Sequence, residues 1–366
     1  MIFSRREFTR LGAMGMAAHF APRSRAQNLD RRVGYCVIGL GRIAEHFIAG
    51  VKASSTSAIT GLVSGHREKA EKIADQRGIP ASSIYSYETM DAIRDNKAID
   101  AVYVALPNSM HAEYTIRSAK AGKHVLCEKP MSTSVSDARA MIDACKSARV
   151  QLMIAYRCHY EPSNLRAIKL IREGALGKVQ VIESAFGFNI AAGEWRLNKK
   201  LAGGGPLLDV GIYSLNACRY LTGEEPAELS AYTSTIDHDG RFKEVEENLS
   251  WITKFPSGIV ASCSTSYGTN MTGYYRVHGS KGWLELSPAF VYEGLHLTGH
   301  YETGVKDPGT AIEEPNPERD PMHFKREADH FSECIRNNQI PRTPGEEGLR
   351  DMEYIERIYR SCGLSL

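Results

Sequence analysis

The chain has 366 residues, 42% of them apolar, and a formal net charge of +2. That length suits two domains or one large one, and the near-neutral balance, without interleaved basic and aromatic patches, excludes a nucleic-acid groove as the main business. No run of about 20 apolar residues occurs, so neither a transmembrane helix nor a membrane anchor is expected in the mature chain.

The first residues differ in kind. Ser4-Arg5-Arg6-Glu7-Phe8 is a twin-arginine pattern, followed by a weakly apolar run over 11–21 and by Ser24-Arg25-Ala26, small residues placed for cleavage before Gln27. This resembles a Tat export signal over residues 1–26, which would send a folded protein from a cytoplasmic precursor to the periplasm. The eight cysteines are scattered, with no C-x-x-C and no histidine at zinc spacing. Buried free thiols are therefore expected, and no metal site.

Residues 32–40 are apolar and β-prone and run into Gly39-Leu40-Gly41-Arg42-Ile43-Ala44. This is G-x-G-x-x-A between a strand and a helix. The first glycine allows the tight turn, the second lets a pyrophosphate approach the backbone, and Ala44 keeps helix and strand close. A second strand over 58–63 should carry Asp or Glu at its tip if the ligand were NAD. Ser64-Gly65-His66-Arg67-Glu68-Lys69 stands there instead. A hydroxyl and two cations suit a 2′-phosphate, so NADP is expected over NAD.

Helix and strand go on alternating. Residues 101–106 read as a strand closed by Pro107-Asn108-Ser109, 111–121 as a helix ended by Gly122, 134–148 as an amphipathic helix and 151–156 as the last parallel strand. Between them lies His124-Val125-Leu126-Cys127-Glu128-Lys129-Pro130, a short buried strand ending on a carboxylate, an ammonium and a proline. Ligands of open α/β sheets sit beyond the carboxyl ends of the strands, so Lys129 is placed where chemistry is done. The pattern predicts a doubly wound dinucleotide-binding domain over residues 27–156.

After Tyr156 a polar connector leads to a helix over 163–173 and then to consecutive strands over 179–186, 228–235, 244–255, 258–266, 274–279 and 282–286. That succession predicts an α+β domain over 157–366 with a large, mostly antiparallel open sheet. Segments 321–337 and 346–362 read as helices. Between the first two of these strands, the loop 202–206, Ala-Gly-Gly-Gly-Pro, reads as flexible and opens a helix over 207–221. Asp209 and Tyr213, at i and i+4, then share one face.

Together these residues resemble the glucose–fructose oxidoreductase branch of the Gfo/Idh/MocA oxidoreductases. The resemblance rests on Gly39 to Ala44, Leu62-Val63-Ser64-Gly65, Pro107-Asn108-Ser109, Glu128-Lys129-Pro130, the segment 156–162, Trp195-Arg196, the segment 203–223 and Pro344-Gly345-Glu346-Glu347-Gly348. Most of the wider family carries histidine one turn after the aspartate; Tyr213 stands there, as in this branch. The resemblance implies cofactor contacts from Gly39, Leu40, Gly41, Arg42, Ile43, Ser64, Gly65, Arg67, Lys69, Tyr87, Leu106, Pro107, Asn108, His111, Glu128, Lys129, Arg157, Trp195 and Arg196. It also implies a homodimer or homotetramer. The branch's long proline-rich arm has no counterpart in residues 27–31, which weakens the case for arm-mediated assembly and irreversible cofactor retention.

The expected chemistry is hydride transfer between C1 of an aldose and a tightly held NADP. Tyr213 would take the proton of the C1 hydroxyl, with Lys129 favouring the phenolate and Asp209 holding a neighbouring hydroxyl. Lys129, Tyr160, Asp209 and Tyr213 are the expected substrate contacts, and Glu128 would position Lys129. Since no NADPH pool exists outside the cytoplasm, a retained cofactor would be recycled by a second sugar. The alternatives are an aldose dehydrogenase with exchangeable cofactor and an exported sugar-binding protein with a vestigial one.

Overall fold

Val33–Ile38 forms the first strand, β1, with every side chain buried. It ends at Gly39, where the backbone turns to φ +88° and an added Cβ would stand 2.5 Å from the Ala105 carbonyl oxygen. The computed structural model describes residues 31–304 and 309–366. The twin-arginine segment lies outside the described residues. Among these residues, no helix is long and apolar enough to cross a membrane.

β1 leads to helix α1 (Arg42–Lys52), then strand β2 (Ser57–Val63), helix α2 (Arg67–Arg77) and the two-residue strand β3 (Ile84–Tyr85). Strand β4 (Ala101–Val104), helix α3 (His111–Lys120), strand β5 (His124–Glu128), helix α4 (Val135–Ala148) and strand β6 (Leu152–Ala155) follow. The six strands are parallel in the order β3-β2-β1-β4-β5-β6. Parallel strands covered on both faces need apolar residues at successive positions, which is why these strands read as short continuous runs. β3 gave no sequence signal because two residues carry no period. Ser134 caps α4, its hydroxyl accepting from the Asp137 amide at 3.1 Å, as the Ser ahead of an apolar run suggests.

The second half opens with helix α5 (Pro162–Arg172), strand β7 (Val179–Gly187), the single turn α6 (Lys199–Ala202) and helix α7 (Ile212–Thr222). Strands β8 (Glu228–Ser234), β9 (Asn248–Lys254), β10 (Val260–Ser266), β11 (Met271–Gly279), β12 (Gly282–Leu286), β13 (His296–Tyr301) and β14 (Thr310–Pro315) follow. Their order is β14-β13-β12-β11-β7-β10-β9-β8. Every neighbouring pair is antiparallel except β7–β10, which is parallel. The reason is the long connection carrying α6 and α7: it drops the chain at the far edge, from which β8, β9 and β10 return to the middle. β9 shows the two faces, with Leu249, Trp251 and Thr253 buried and Ser250, Ile252 and Lys254 exposed between them, the alternation of a sheet covered on one side.

Four differences from the sequence reading have physical causes. β9 begins at Asn248 rather than 244, because Glu246 turns to the glycine loop and Glu247 accepts from the Asp237 amide at 2.9 Å. β13 and β14 were not anticipated, since Gly299 occupies an inward position of β13 and dulls its alternation. The glycine loop is buried rather than flexible: a Cβ on Gly203 would stand 2.6 Å from Thr133, and one on Gly205 2.7 Å from Glu246.

The fourth concerns the last helices, α8 (Met322–Asn337) and α9 (Gly345–Ser361). α8 does not stay with the second sheet but covers the first. Tyr35 of β1 donates to the Ala328 carbonyl at 3.2 Å, and Phe324 and Phe331 share a core with Phe47 and Tyr103. α1 is approached so closely that a Cβ on Gly50 would lie 2.9 Å from that of Phe324. α9 packs beside α4, where Gly345 meets Ile142 and Leu152. No disulfide forms among the described cysteines, and all but the half-buried Cys362 are buried.

Candidate active site

A cavity of about 600 Å³ lies between the carboxyl ends of the parallel strands and one end of the second sheet. β1 and β4 are neighbours whose connections leave in opposite directions, the switch point at which such sheets bind ligands. The loop after β1 forms one wall, with Arg42 and Ile43 facing the cavity. A Cβ on Gly41 would meet no protein atom within 4 Å, so the space beside that backbone is left to a ligand at the N-terminus of α1. Leu106 and Asn108, after β4, line the same wall, and the Asn108 amide reaches the Ala202 carbonyl at 2.8 Å. Pro107 opens that turn.

At the tip of β2 there is no carboxylate. The Ser64 hydroxyl accepts from the His66 amide at 3.0 Å, and Tyr87 closes over Gly65, within 3.2 Å of where a Cβ would be. Arg67 bonds Glu71 at 2.8 Å and Lys69 pairs with Glu45 at 3.3 Å. Both cations stand at the edge of the sheet, half exposed, outside the cavity itself. Leu40 is buried beneath the turn. His111 spans the Leu106 and Pro130 carbonyls at 2.9 and 2.8 Å, tying the ends of β4 and β5 together while reaching the cavity wall.

The chemical residues converge from three elements. Lys129 follows β5, and its Nζ donates to the Asp209 carbonyl at 2.6 Å and lies 3.5 Å from Oδ1. Asp209 sits not in an α-helix but in one wide, π-type turn, Leu207–Gly211, in which the Ile212 amide reaches back to the Leu207 carbonyl. Such turns loosen the backbone ladder and recur at functional sites; here the turn lets a main-chain carbonyl face Lys129. It is held from behind by Glu246, whose carboxylate accepts from the Gly205 amide at 3.0 Å, the Leu207 amide at 3.2 Å and the Tyr359 hydroxyl at 2.8 Å.

Asp209 Oδ2 accepts from Arg196 Nε at 2.8 Å and from the Tyr267 hydroxyl at 2.9 Å. Among the described residues Oδ1 has only the long contact to Lys129, which leaves it with accepting capacity toward the cavity. Burial alone would push this carboxyl up; the Lys129 and Arg196 charges and the bonds from Tyr267 and Arg196 outweigh it and hold it below the usual range.

Tyr213, one turn later, packs between Phe186 and Phe290 with ring centroids 5.8 and 5.5 Å away. Lys129 stands over the face of this ring, 4.6 Å from its centroid. Arg157 is a second cation on this ring, 5.2 Å from the same centroid, and its charge opposes the burial of the phenol more than that of any other group. Burial pushes the phenol well above its ordinary value, and the Arg157 charge offsets only part of that. Lys129, expected to favour the phenolate, stands over the ring face and is at the same time the partner of Asp209. Glu128 accepts from the Lys129 amide at 3.2 Å and from the Tyr103 hydroxyl, and burial raises its carboxyl against those bonds.

One expected contact is corrected. Tyr160 does not reach the cavity. It is buried in the core under α8, its hydroxyl 3.4 Å from Thr343, with Arg342 stacked 5.0 Å from its ring. Its connector turns inward, so the aromatic falls on the core side while Arg157 faces the cavity. Trp195 and Arg196 do line the cavity, on the loop after β7. Residues missed by sequence reasoning are Tyr267, Glu246, Phe290, Tyr292 and His46. Tyr267, Phe290 and Tyr292 follow strands in segments without a motif, His46 lies just past the glycine motif on α1, and Glu246 lies in a polar loop, so only the tertiary arrangement could single them out.

A parallel sheet with a glycine turn at its switch point, a lysine at the end of its β5, and an aspartate and a tyrosine facing that lysine from the turn and helix after β7 define a dinucleotide-dependent oxidoreductase. The chain belongs to the GFO/IDH/MocA oxidoreductase family: the model of its NAD-binding Rossmann fold matches residues 33–156 and that of its C-terminal domain residues 164–285. It is 31% identical over 340 residues to the D-xylose 1-dehydrogenase [NADP(+)] of Haloarcula marismortui, covering 91% of each chain. It is 32% identical to the D-xylose 1-dehydrogenase (NADP(+)) 2 of Haloferax volcanii, covering 86% of this chain and 92% of that one. Among solved structures, the aldose-aldose oxidoreductase of Caulobacter crescentus, complexed with glycerol, superimposes with a TM-score of 0.85 at 45% identity, over 90% of this chain and 97% of that one.

Proposed function

We propose that the protein is an NADP-dependent sugar oxidoreductase that oxidises an aldose at C1, retains its cofactor and returns the hydride to a second sugar. The observation that carries this reading is the placing of Lys129, Asp209 and Tyr213 around one cavity at the dinucleotide switch point. The 45% identity to an aldose-aldose oxidoreductase supports it, and the D-xylose dehydrogenase relatives favour the second reading, an aldose dehydrogenase with exchangeable cofactor.

A bound nicotinamide would supply the hydride acceptor in one half-reaction and the donor in the other. The protein does the rest. Gly39, Gly41, Arg42 and the N-terminus of α1 would hold the pyrophosphate, and Ser64 with Arg67 the 2′-phosphate. Asp209 Oδ1 accepts from a sugar hydroxyl beside C1, and Lys129 donates to the C1 oxygen while tethered to the Asp209 carbonyl. Tyr213 takes the proton from that oxygen as the C1–H bond breaks, giving a lactone. With Phe186, Phe290 and Tyr292 packed around it, the site restricts water beside the reacting carbon.

The experiment is to purify the mature protein without added cofactor and follow nicotinamide absorbance. Bound nicotinamide that gains reduced-form absorbance on adding an aldose, and loses it on adding a second sugar, is expected; colourless protein that turns over only with free NADP would establish the exchangeable-cofactor reading. The same sample on light scattering should be a dimer or tetramer. Ser64→Asp should weaken NADP and favour NAD, because the carboxylate repels a 2′-phosphate and accepts from a 2′-hydroxyl. An unchanged preference on titration would show that the tip of β2 does not read the ribose.

We further propose export by the Tat route to the periplasm. A fusion of residues 1–30 to a cytoplasmically folding reporter should be exported only with Arg5 and Arg6 present. Export that persists with both changed to Lys would remove that part of the proposal.

A further inference from the structure

Arg157 is a buried cation beside the Tyr213 ring, and the way it is held has no part in the roles assigned so far. Its guanidinium is buried and gripped by acceptors on one side: the Phe290 carbonyl, the Val291 carbonyl at 3.0 Å and His323 Nδ1 at 3.2 Å. Its other faces meet the rings of Tyr213 and Tyr292, centroids 5.2 and 4.5 Å away. A guanidinium has no acceptor, so His323 Nδ1 must accept, which puts the ring proton on Nε2. We propose that His323, a neutral imidazole on α8, is a positioning residue that aims the Arg157 charge at the Tyr213 hydroxyl. The proposal rests on the reading of Tyr213 as the group that takes the sugar's proton.

The surroundings favour a neutral ring. His323 is 1% exposed, and burial, then the charges of Arg157 and Arg326, hold it down at about 3. Glu327, one helical turn later, is fully buried, and no described protein group donates to either of its oxygens. Burial and the nearby Glu128 push its carboxyl far up, so it does not cancel Arg157. Around the Tyr213 phenol the other titratable groups are Cys158 beside Arg157, Glu128 and Lys129 at the end of β5, Asp209 one turn before and Tyr292 opposite. Arg157 supplies the largest effect opposing the burial of that phenol. Its aim is therefore what a histidine on a distant helix can alter. α8 lies on the Rossmann sheet, so this contact couples the cofactor half of the fold to the residue that handles the proton.

The test uses the purified whole protein without sugar, labelled with 15N-arginine and [ζ-13C]tyrosine. Wild type should show slowly exchanging Arg157 Nη–H signals and a Tyr213 Cζ resonance identified by its loss in Tyr213→Phe. His323→Leu removes the acceptor at similar volume; it should broaden the arginine signals and move the tyrosine resonance. His323→Asn, whose amide oxygen comes near the place of Nδ1, should restore both. In sugar turnover the Leu variant should lose at least about threefold in kcat with KM within about twofold, its pH profile displaced upward by about half a unit.

Unchanged resonances in the Leu variant, or no rescue by Asn, overturn the proposal. If the Leu variant does not fold, wild-type 15N-histidine spectra decide: Nε2–H with Nδ1 accepting between pH 5 and 9 supports it, and an Nδ1–H ring overturns it. Failure of every sugar to reduce the cofactor would count against the reading of the site, while the resonances still settle the positioning.

Discussion

Tyr213→Phe should abolish the chemical step and spare the fold. The ring stays, so its packing between Phe186 and Phe290 is kept. The hydroxyl alone is lost, and with it the proton acceptor for C1, worth about 100- to 10,000-fold. Substrate should still be held by Asp209 and Lys129, so kcat should fall far more than affinity, the pattern of an interaction made chiefly in the transition state. Because burial lifts the phenol above its ordinary range, only a small fraction is phenolate near neutrality. The wild-type single-turnover rate should therefore climb with pH, approaching tenfold per unit. The variant should be slow and flat. The measurement is rapid-mixing reduction of bound NADP⁺ by aldose across pH; a variant with wild-type rate and slope would make Tyr213 a wall residue.

Lys129→Met should cost at least about a hundredfold in turnover with the cofactor still bound. Methionine keeps most of the stem's volume, so the loss is chiefly of the charge that stands over the Tyr213 ring. Without the ammonium, the C1 oxygen loses its donor and Asp209 loses its tether to β5. The carboxylate should nevertheless stay ionised, since Arg196 and Tyr267 still donate to Oδ2 at 2.8 and 2.9 Å. That separates this variant from Asp209→Asn, which would leave two donors facing an amide. Turnover within a few-fold of wild type in Lys129→Met would remove Lys129 from the chemistry and leave Arg157 as the acting cation.

Much of the fold could be read in advance because its signals are local. Gly39 sits at a turn that excludes a side chain, Gly41 leaves open space beside the backbone, and the continuous apolar runs of β1, β4, β5 and β6 have no place except between two layers. Ser134 ahead of α4 and Gly122 after α3 mark helix ends through groups they themselves carry. The site was legible in the same way where its members share a short segment, as Glu128 and Lys129 do, or Asp209 and Tyr213. Tyr160 misled because one polar connector holds residues facing opposite ways, and nothing in Arg157-Cys158-His159-Tyr160 says which side turns in.

By itself, then, the sequence determined the parallel dinucleotide-binding sheet, the second antiparallel sheet and the lysine, aspartate and tyrosine at their junction. Periods, turns and motifs within a few residues specify these. Tertiary structure alone decided that Arg157 joins Lys129 on the Tyr213 ring and that Tyr267 and Arg196 occupy one oxygen of Asp209. It also decided that a wide turn frees a carbonyl for Lys129, and that α8 returns to cover the first sheet. Most of these depend on contacts between residues tens to hundreds of positions apart. A local pattern cannot encode the burial and charge that such contacts create.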